Sequence, residues 1–122
     1  MSGSSLFADT NFFIYFLKGH RNVKPYLKRN FFISEITEMQ LMGESGMSQI
    51  ALKAKTEIIE NCFLGKFNSG IKRVAIQIKQ KTSLKLPDVI IAASALYTRI
   101  PLITADKEFL RVSELDVVLL QI

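Results

Sequence analysis

The sequence has no Trp, a single Cys (Cys62), a single His (His20) and three Pro among 122 residues. With one cysteine no internal disulfide can form, which suits a reducing compartment. Cys62 sits beside Asn61, Phe63 and Leu64 and reads as a small buried hydrophobe, since reactive thiols need an electropositive, partly exposed setting. A nucleophilic cysteine would also want a histidine, and His20 lies in a Lys-Gly-His-Arg turn, so triad chemistry is not expected. Long apolar runs are missing too. The stretch from Phe12 to Leu17 stops at Lys18, far short of the roughly 20 residues that cross a bilayer. No basic segment followed by a cleavable apolar one opens the chain, so a cytoplasmic protein without membrane association is expected.

What is present is a large apolar share, 48%, with nine Phe, enough for a real core. The length fits one domain over residues 1–122, because domains commonly run to about 100–150 residues. No repeat, low-complexity tract or linker divides it. Basic residues outnumber acidic ones, 16 to 11, for a formal charge of +5. They gather at 18–29 and 66–85. An anionic partner such as nucleic acid is one explanation, and two solvated helix faces are the other.

Hydrophobic periodicity divides the chain into alternating strands and helices. Strands are expected at Ser4–Asp9, Asn30–Ser34, Asn61–Phe67, Pro101–Thr104 and Val117–Leu120. Helices are expected at Thr10–Lys18, Val23–Arg29, Glu35–Met42 and Ser48–Glu60, then through Ile71–Ile78 and from Pro87 to Leu96. Such alternation indicates an α/β fold of three layers, a mostly parallel central sheet flanked by helices. In those sheets, sites form beyond the carboxyl ends of the strands. That rule singles out Asp9 and Asp106 at strand ends, and Asp88 at a helix start.

Each acid also has a plain structural explanation. Asp9 could cap the first helix, Asp88 follows Pro87 at a helix start, and Asp106 could hold a turn. If they converge, however, they offer the hard oxygen donors that magnesium prefers. An ion held there can activate water, stabilise developing charge on a phosphodiester and hold the leaving oxygen.

The words around these acids carry more information than their spacing. Leu6-Phe7-Ala8-Asp9-Thr10-Asn11 resembles the opening of PIN domains. Phe32-Ile33-Ser34-Glu35-Ile36-Thr37-Glu38-Met39-Gln40-Leu41 resembles the second motif of that family. Leu84-Lys85-Leu86-Pro87-Asp88-Val89-Ile90 resembles the third, and Leu102-Ile103-Thr104-Ala105-Asp106 the fourth. All four stand in family order across almost the whole chain. The resemblance, to VapC-type toxins of type II toxin–antitoxin systems in particular, implies a PIN fold and endonucleolytic cleavage of RNA with Mg2+ or Mn2+. It places Asp9, Asp88 and Asp106 on catalytic, metal-coordinating positions, with Thr10, Asn11 and Thr104 as support. A cognate antitoxin and a homodimer are implied as partners.

One position departs from the pattern. The acid of the second motif follows its Thr by three, and here that position is Gln40. Glu38 lies two residues away on a helix turning by about 100° per residue, so it faces nearly the other side. Glu44 lies one turn beyond Gln40 on a similar face, provided the helix runs past Gly43. A Gln supplies an oxygen but no negative charge. Two readings follow: an endonuclease with weakened metal binding, or a PIN domain that acts as an RNA- or protein-binding regulatory module. A third class, a phosphoryl-accepting receiver, wants an acidic pair near the first strand, where Asp9 stands alone.

Overall fold

In the computed structural model, which describes residues 4–122, five short strands form one sheet. They are β1 (Ser5–Ala8), β2 (Asn30–Ser34), β3 (Phe63–Gly65), β4 (Leu102–Thr104) and β5 (Val117–Leu119). The helices are α1 (Thr10–Leu17), α2 (Glu35–Met42), α3 (Gln49–Glu60), α4 (Ser69–Lys81) and α5 (Leu86–Thr98). The strand order is β3-β2-β1-β4-β5, and every recorded pairing is parallel. The expected α/β class holds, and the sheet is parallel throughout.

The pleat sorts β1 between two cores. Phe7 points to one face, into a cluster with Ile71, Val89, Ala92 and Leu102 from α4, α5 and β4. Leu6 and Ala8 point to the other, beside Phe12 and Phe13 of α1 and Phe31 and Ile33 of β2. This period-two sorting, buried on both faces, is what a central parallel strand requires. It produces the three layers.

Local chemistry sets the helix starts. Asp9, Ser34, Ser48 and Asn68 cap α1, α2, α3 and α4, each accepting a hydrogen bond from a backbone N–H in the first turn. Helix α5 begins with Pro87 in its first positions, where a missing N–H costs nothing. The expected basic helix at Val23–Arg29 is a 3-10 helix at Arg21–Tyr26 instead. Pro25 inside it lacks the N–H that an α-helical turn would use. The third strand is also shorter than the expected Asn61–Phe67, and it lies at the edge of the sheet, where Phe63 and Leu64 remain exposed.

The order of the strands locates a crevice. Chain progression from β1 moves outward to β2 and β3, then crosses back to β4 on the other side of β1. Between β1 and β4 the direction of winding reverses. Such a switch point leaves an opening at the carboxyl ends of the two strands.

Candidate active site

Asp9 and Thr104 meet at that opening because of strand register. Ala8 pairs with Ile103, so the next residues of the two strands lie opposite each other. The Thr104 hydroxyl donates to Asp9 Oδ2 at 2.6 Å. The second carboxylate oxygen, Oδ1, accepts from the Phe12 backbone N–H at 2.9 Å, which is also the cap of α1. Asp9 thus caps α1 with one oxygen while its other oxygen is held from β4.

Asp106 follows β4 and caps a short 3-10 helix, Lys107–Arg111, by accepting from Glu108 N. Its own N–H donates to Thr104 Oγ1 at 2.9 Å. Thr104 thus links two of the acids through one oxygen. Asp88 lies in the first turn of α5, where the helix dipole favours a carboxylate.

The acids lie near enough to act on one another's charge. Burial pushes Asp9 up from the usual carboxylate range to about 6, and the negative charges of Asp88 and Asp106 add to the rise. The hydrogen bonds from Thr104 and Phe12 oppose it without cancelling it. Asp88 is raised as well, by burial first and Asp106 second, with nearby Lys85 pulling the other way. The ion pairs among the described residues are Lys55–Glu44 and Arg111–Glu108, so none neutralises the three acids.

This donor set fits a divalent cation of a particular kind. Carboxylates that repel one another, in no ion pair and with Lys85 near Asp88 alone, favour a hard positive ion. Among the described residues, however, no three His, Cys, Asp or Glu form a ready-made cage. Magnesium retains several waters and is commonly held by one or two carboxylates, so a cage is not required.

The supporting residues divide. Thr10 Oγ1 lies 3.2 Å from Thr37 Oγ1 and also within reach of Gln40 Oε1. A hydroxyl has one proton, and the amide oxygen is only an acceptor, so Thr10 donates to Gln40. Gln40 therefore does reach the first motif, although its side of α2 is exposed. Asn11 follows Thr10 in the first turn of α1 and is exposed. Helix α2 ends at Met42 with Gly43 as its cap, so Glu44 lies beyond the helix. Its carboxylate pairs with Lys55 Nζ at 2.6 Å, and it lines one cavity together with Thr10 and Gln40.

Thr37, which motif reading used only to mark register, joins this hydrogen-bond network. It is fully buried, and its hydroxyl joins Ser34 Oγ at 3.1 Å to Thr10. The Ser-x-x-Thr spacing at a helix start was the available signal.

A five-stranded parallel α/β sheet with acids near its switch point is the class of fold that this chain adopts. The family model "PIN domain" matches residues 6–115, and the chain belongs to that family. No curated protein sequence matches it significantly. Among solved structures it is similar to a chain of a toxin–antitoxin complex from Klebsiella pneumoniae, at 29% identity and a TM-score of 0.77, covering 93% of this chain and 95% of that one. It is also similar to a chain of VapBC-1 from nontypeable Haemophilus influenzae, at 25% identity and a TM-score of 0.79, covering 94% and 97%. A chain of DNA-bound VapBC from Salmonella typhimurium, 20% identical with a TM-score of 0.74 over 97% and 98%, shares the fold.

Proposed function

We propose that this chain is a metal-dependent endoribonuclease and the toxin of a toxin–antitoxin pair, a single PIN domain over residues 1–122. The reading is supported by Asp9, Asp88 and Asp106, which act on one another's charge in a PIN fold and have no ion pair among the described residues. Two structural neighbours of at least 25% identity belong to toxin–antitoxin complexes, which favours an antitoxin as cognate partner. A homodimer working in the cytoplasm is the accompanying expectation. No helix among the described residues is long and apolar enough to cross a membrane.

Asp9, Asp88 and Asp106 would hold Mg2+ or Mn2+ together with water. Bound there, the ion would lower the pKa of water and balance charge developing on the phosphodiester. The chain's own residues prepare the ground. Phe12 N and the Thr104 hydroxyl fix both oxygens of Asp9, so little ordering is left to do on binding. Asp106 is fixed through Glu108 N in the same way. Thr10 and Asn11 follow the first acid, and the Thr10 hydroxyl holds the Gln40 side chain.

Gln40 supports the alternative reading, a PIN domain weakened in catalysis that binds RNA or protein as a regulatory module. Its amide oxygen is already engaged by Thr10 and adds no charge. Cleavage of a mixed RNA pool, with and without Mn2+, separates the two. Metal-dependent cutting that disappears in Asp9→Asn and Asp88→Asn supports the nuclease. RNA binding without any cutting, at millimolar metal, would establish the module instead.

A further inference from the structure

The acidic crevice repels the phosphates that its proposed substrate carries, so the grip on RNA must come from elsewhere. One polar cavity outside the crevice is suited to it. This open depression, about 400 Å3, lies where the α4–α5 loop faces the 3-10 helix after β4, and is lined by Gln80, Lys81, Thr82, Ser83 and Arg111. Two cations and the Ser83 hydroxyl around one concavity are the donor set for a phosphodiester oxygen.

The loop that forms it is held in shape from within. Lys79 Nζ donates to Leu84 O at 2.8 Å, and Thr82 Oγ1 donates to Ile78 O at 3.0 Å. Leu84 is buried in the same apolar cluster as Phe109 and Val112, which fastens the loop and the 3-10 helix to one core. Both walls lead directly to the acids. The loop passes through Lys85 into Asp88, and the 3-10 helix begins at Asp106 and Lys107. At about 2 Å rise per residue, Arg111 stands roughly 10 Å from Asp106, a short span for a single-stranded backbone.

We propose that Lys81, Ser83 and Arg111 form a phosphate-binding subsite that holds the RNA backbone beside the acidic crevice, with Lys85 and Lys107 along the path between. The inference rests on the RNA-cleaving reading above. Two acids moderate the subsite in the free protein. Glu108 pairs with Arg111 at 3.1 Å, and Glu114 lies close enough to Lys81 to be stabilised by its charge. Both pairs are exposed, so exchanging a carboxylate for a phosphate there costs little. Glu108 acts as a stand-in that incoming RNA displaces.

The test is binding of a fluorescent random-sequence single-stranded RNA in chelator, where affinity is read without cleavage. Lys81→Ala with Arg111→Ala should weaken binding by about tenfold and reduce the salt slope by about 0.7, one phosphate for a single strand. Lys24→Ala with Lys28→Ala, in the other basic segment, should leave both unchanged. Glu108→Gln should tighten binding, because it frees Arg111. Melting temperature confirms that each variant folds. Equal weakening by the two double variants, or no effect of the first, overturns the subsite while the nuclease reading stands. If the unaltered protein neither binds nor cuts RNA, the nuclease reading itself fails, and the subsite with it.

Discussion

The Thr104 hydroxyl donates to Asp9 Oδ2 at 2.6 Å although the two residues lie 95 positions apart. The same oxygen accepts from Asp106 N, so one buried threonine positions two acids from different strands. Its hydroxyl also moderates the Asp9 carboxyl, holding it lower than burial alone would. Removing it therefore acts on charge and geometry together.

Thr104→Val keeps the shape and deletes the hydroxyl. Asp9 loses a donor and Asp106 N an acceptor, a cost of about 1–3 kcal/mol for buried groups left unpaired. The Asp9 carboxyl should titrate higher still, and metal affinity at neutral pH should fall. Thermal melting combined with Mn2+ titration by calorimetry checks both; unchanged affinity would mean that Thr104 has no part in the site. Thr104→Ser should restore most of the loss.

Asp9 makes stability depend on pH in an unusual direction for an aspartate. Its folded pKa, about 6, lies above the ordinary value of 3.8, so the folded state keeps a proton that the unfolded chain has lost. Stability in chelator should then decline as pH rises from about 4 to about 6 and level off above. The shift corresponds to roughly 3 kcal/mol at most. Asp9→Asn should flatten that decline and raise the melting temperature at pH 7.5 without metal. A variant that melts no higher than the parent under these conditions contradicts a strained, buried carboxylate.

Metal addition should reverse the penalty in the parent. Binding to the folded state alone stabilises it by mass action, about 2.7 kcal/mol at a concentration 100 times Kd. Gln40→Glu adds a charge where the family commonly has an acid, and its carboxylate can still accept from Thr10. Mg2+ affinity and RNA cleavage should both rise. If neither improves, Gln40 is not the weak point of the site.

Two glycines give a contrast that tests packing near the crevice. A Cβ on Gly65 would stand 2.6 Å from Cζ of Phe7, a fully buried ring on the strand that leads to Asp9. A Cβ on Gly70 would also overlap a ring, that of Tyr97, but this ring is half exposed and can swing outward. Gly65→Ala should cost about 1–3 kcal/mol by overpacking, and Gly70→Ala clearly less. Chemical denaturation of both variants measures the difference, and an equal cost for the two would show that Phe7 yields as easily as Tyr97.

Much of this protein is written in short-range patterns. Apolar runs such as Phe31–Ile33 mark strands, and Ser34 and Ser48 stand at helix starts, because propensity and capping depend on neighbours in the chain. The motifs around Asp9, Asp88 and Asp106 made the acids conspicuous, and the alternation of elements pointed to a parallel sheet. Boundaries were less legible. Pro25 turned an expected α-helix into a 3-10 helix, and β3 proved to be a short exposed edge, since neither depends on periodicity alone.

The tertiary structure decided everything that depends on register and on where a helix stops. Pairing Ala8 with Ile103 put Thr104 against Asp9, a contact that no sequence spacing encodes. The end of α2 at Gly43 left Glu44 beyond the helix, where its carboxylate meets Lys55 of α3, a pairing of opposite charges that no spacing in the chain specifies. Residue types supply the chemistry within reach of their neighbours, while packing alone chooses which distant oxygens come to share an opening.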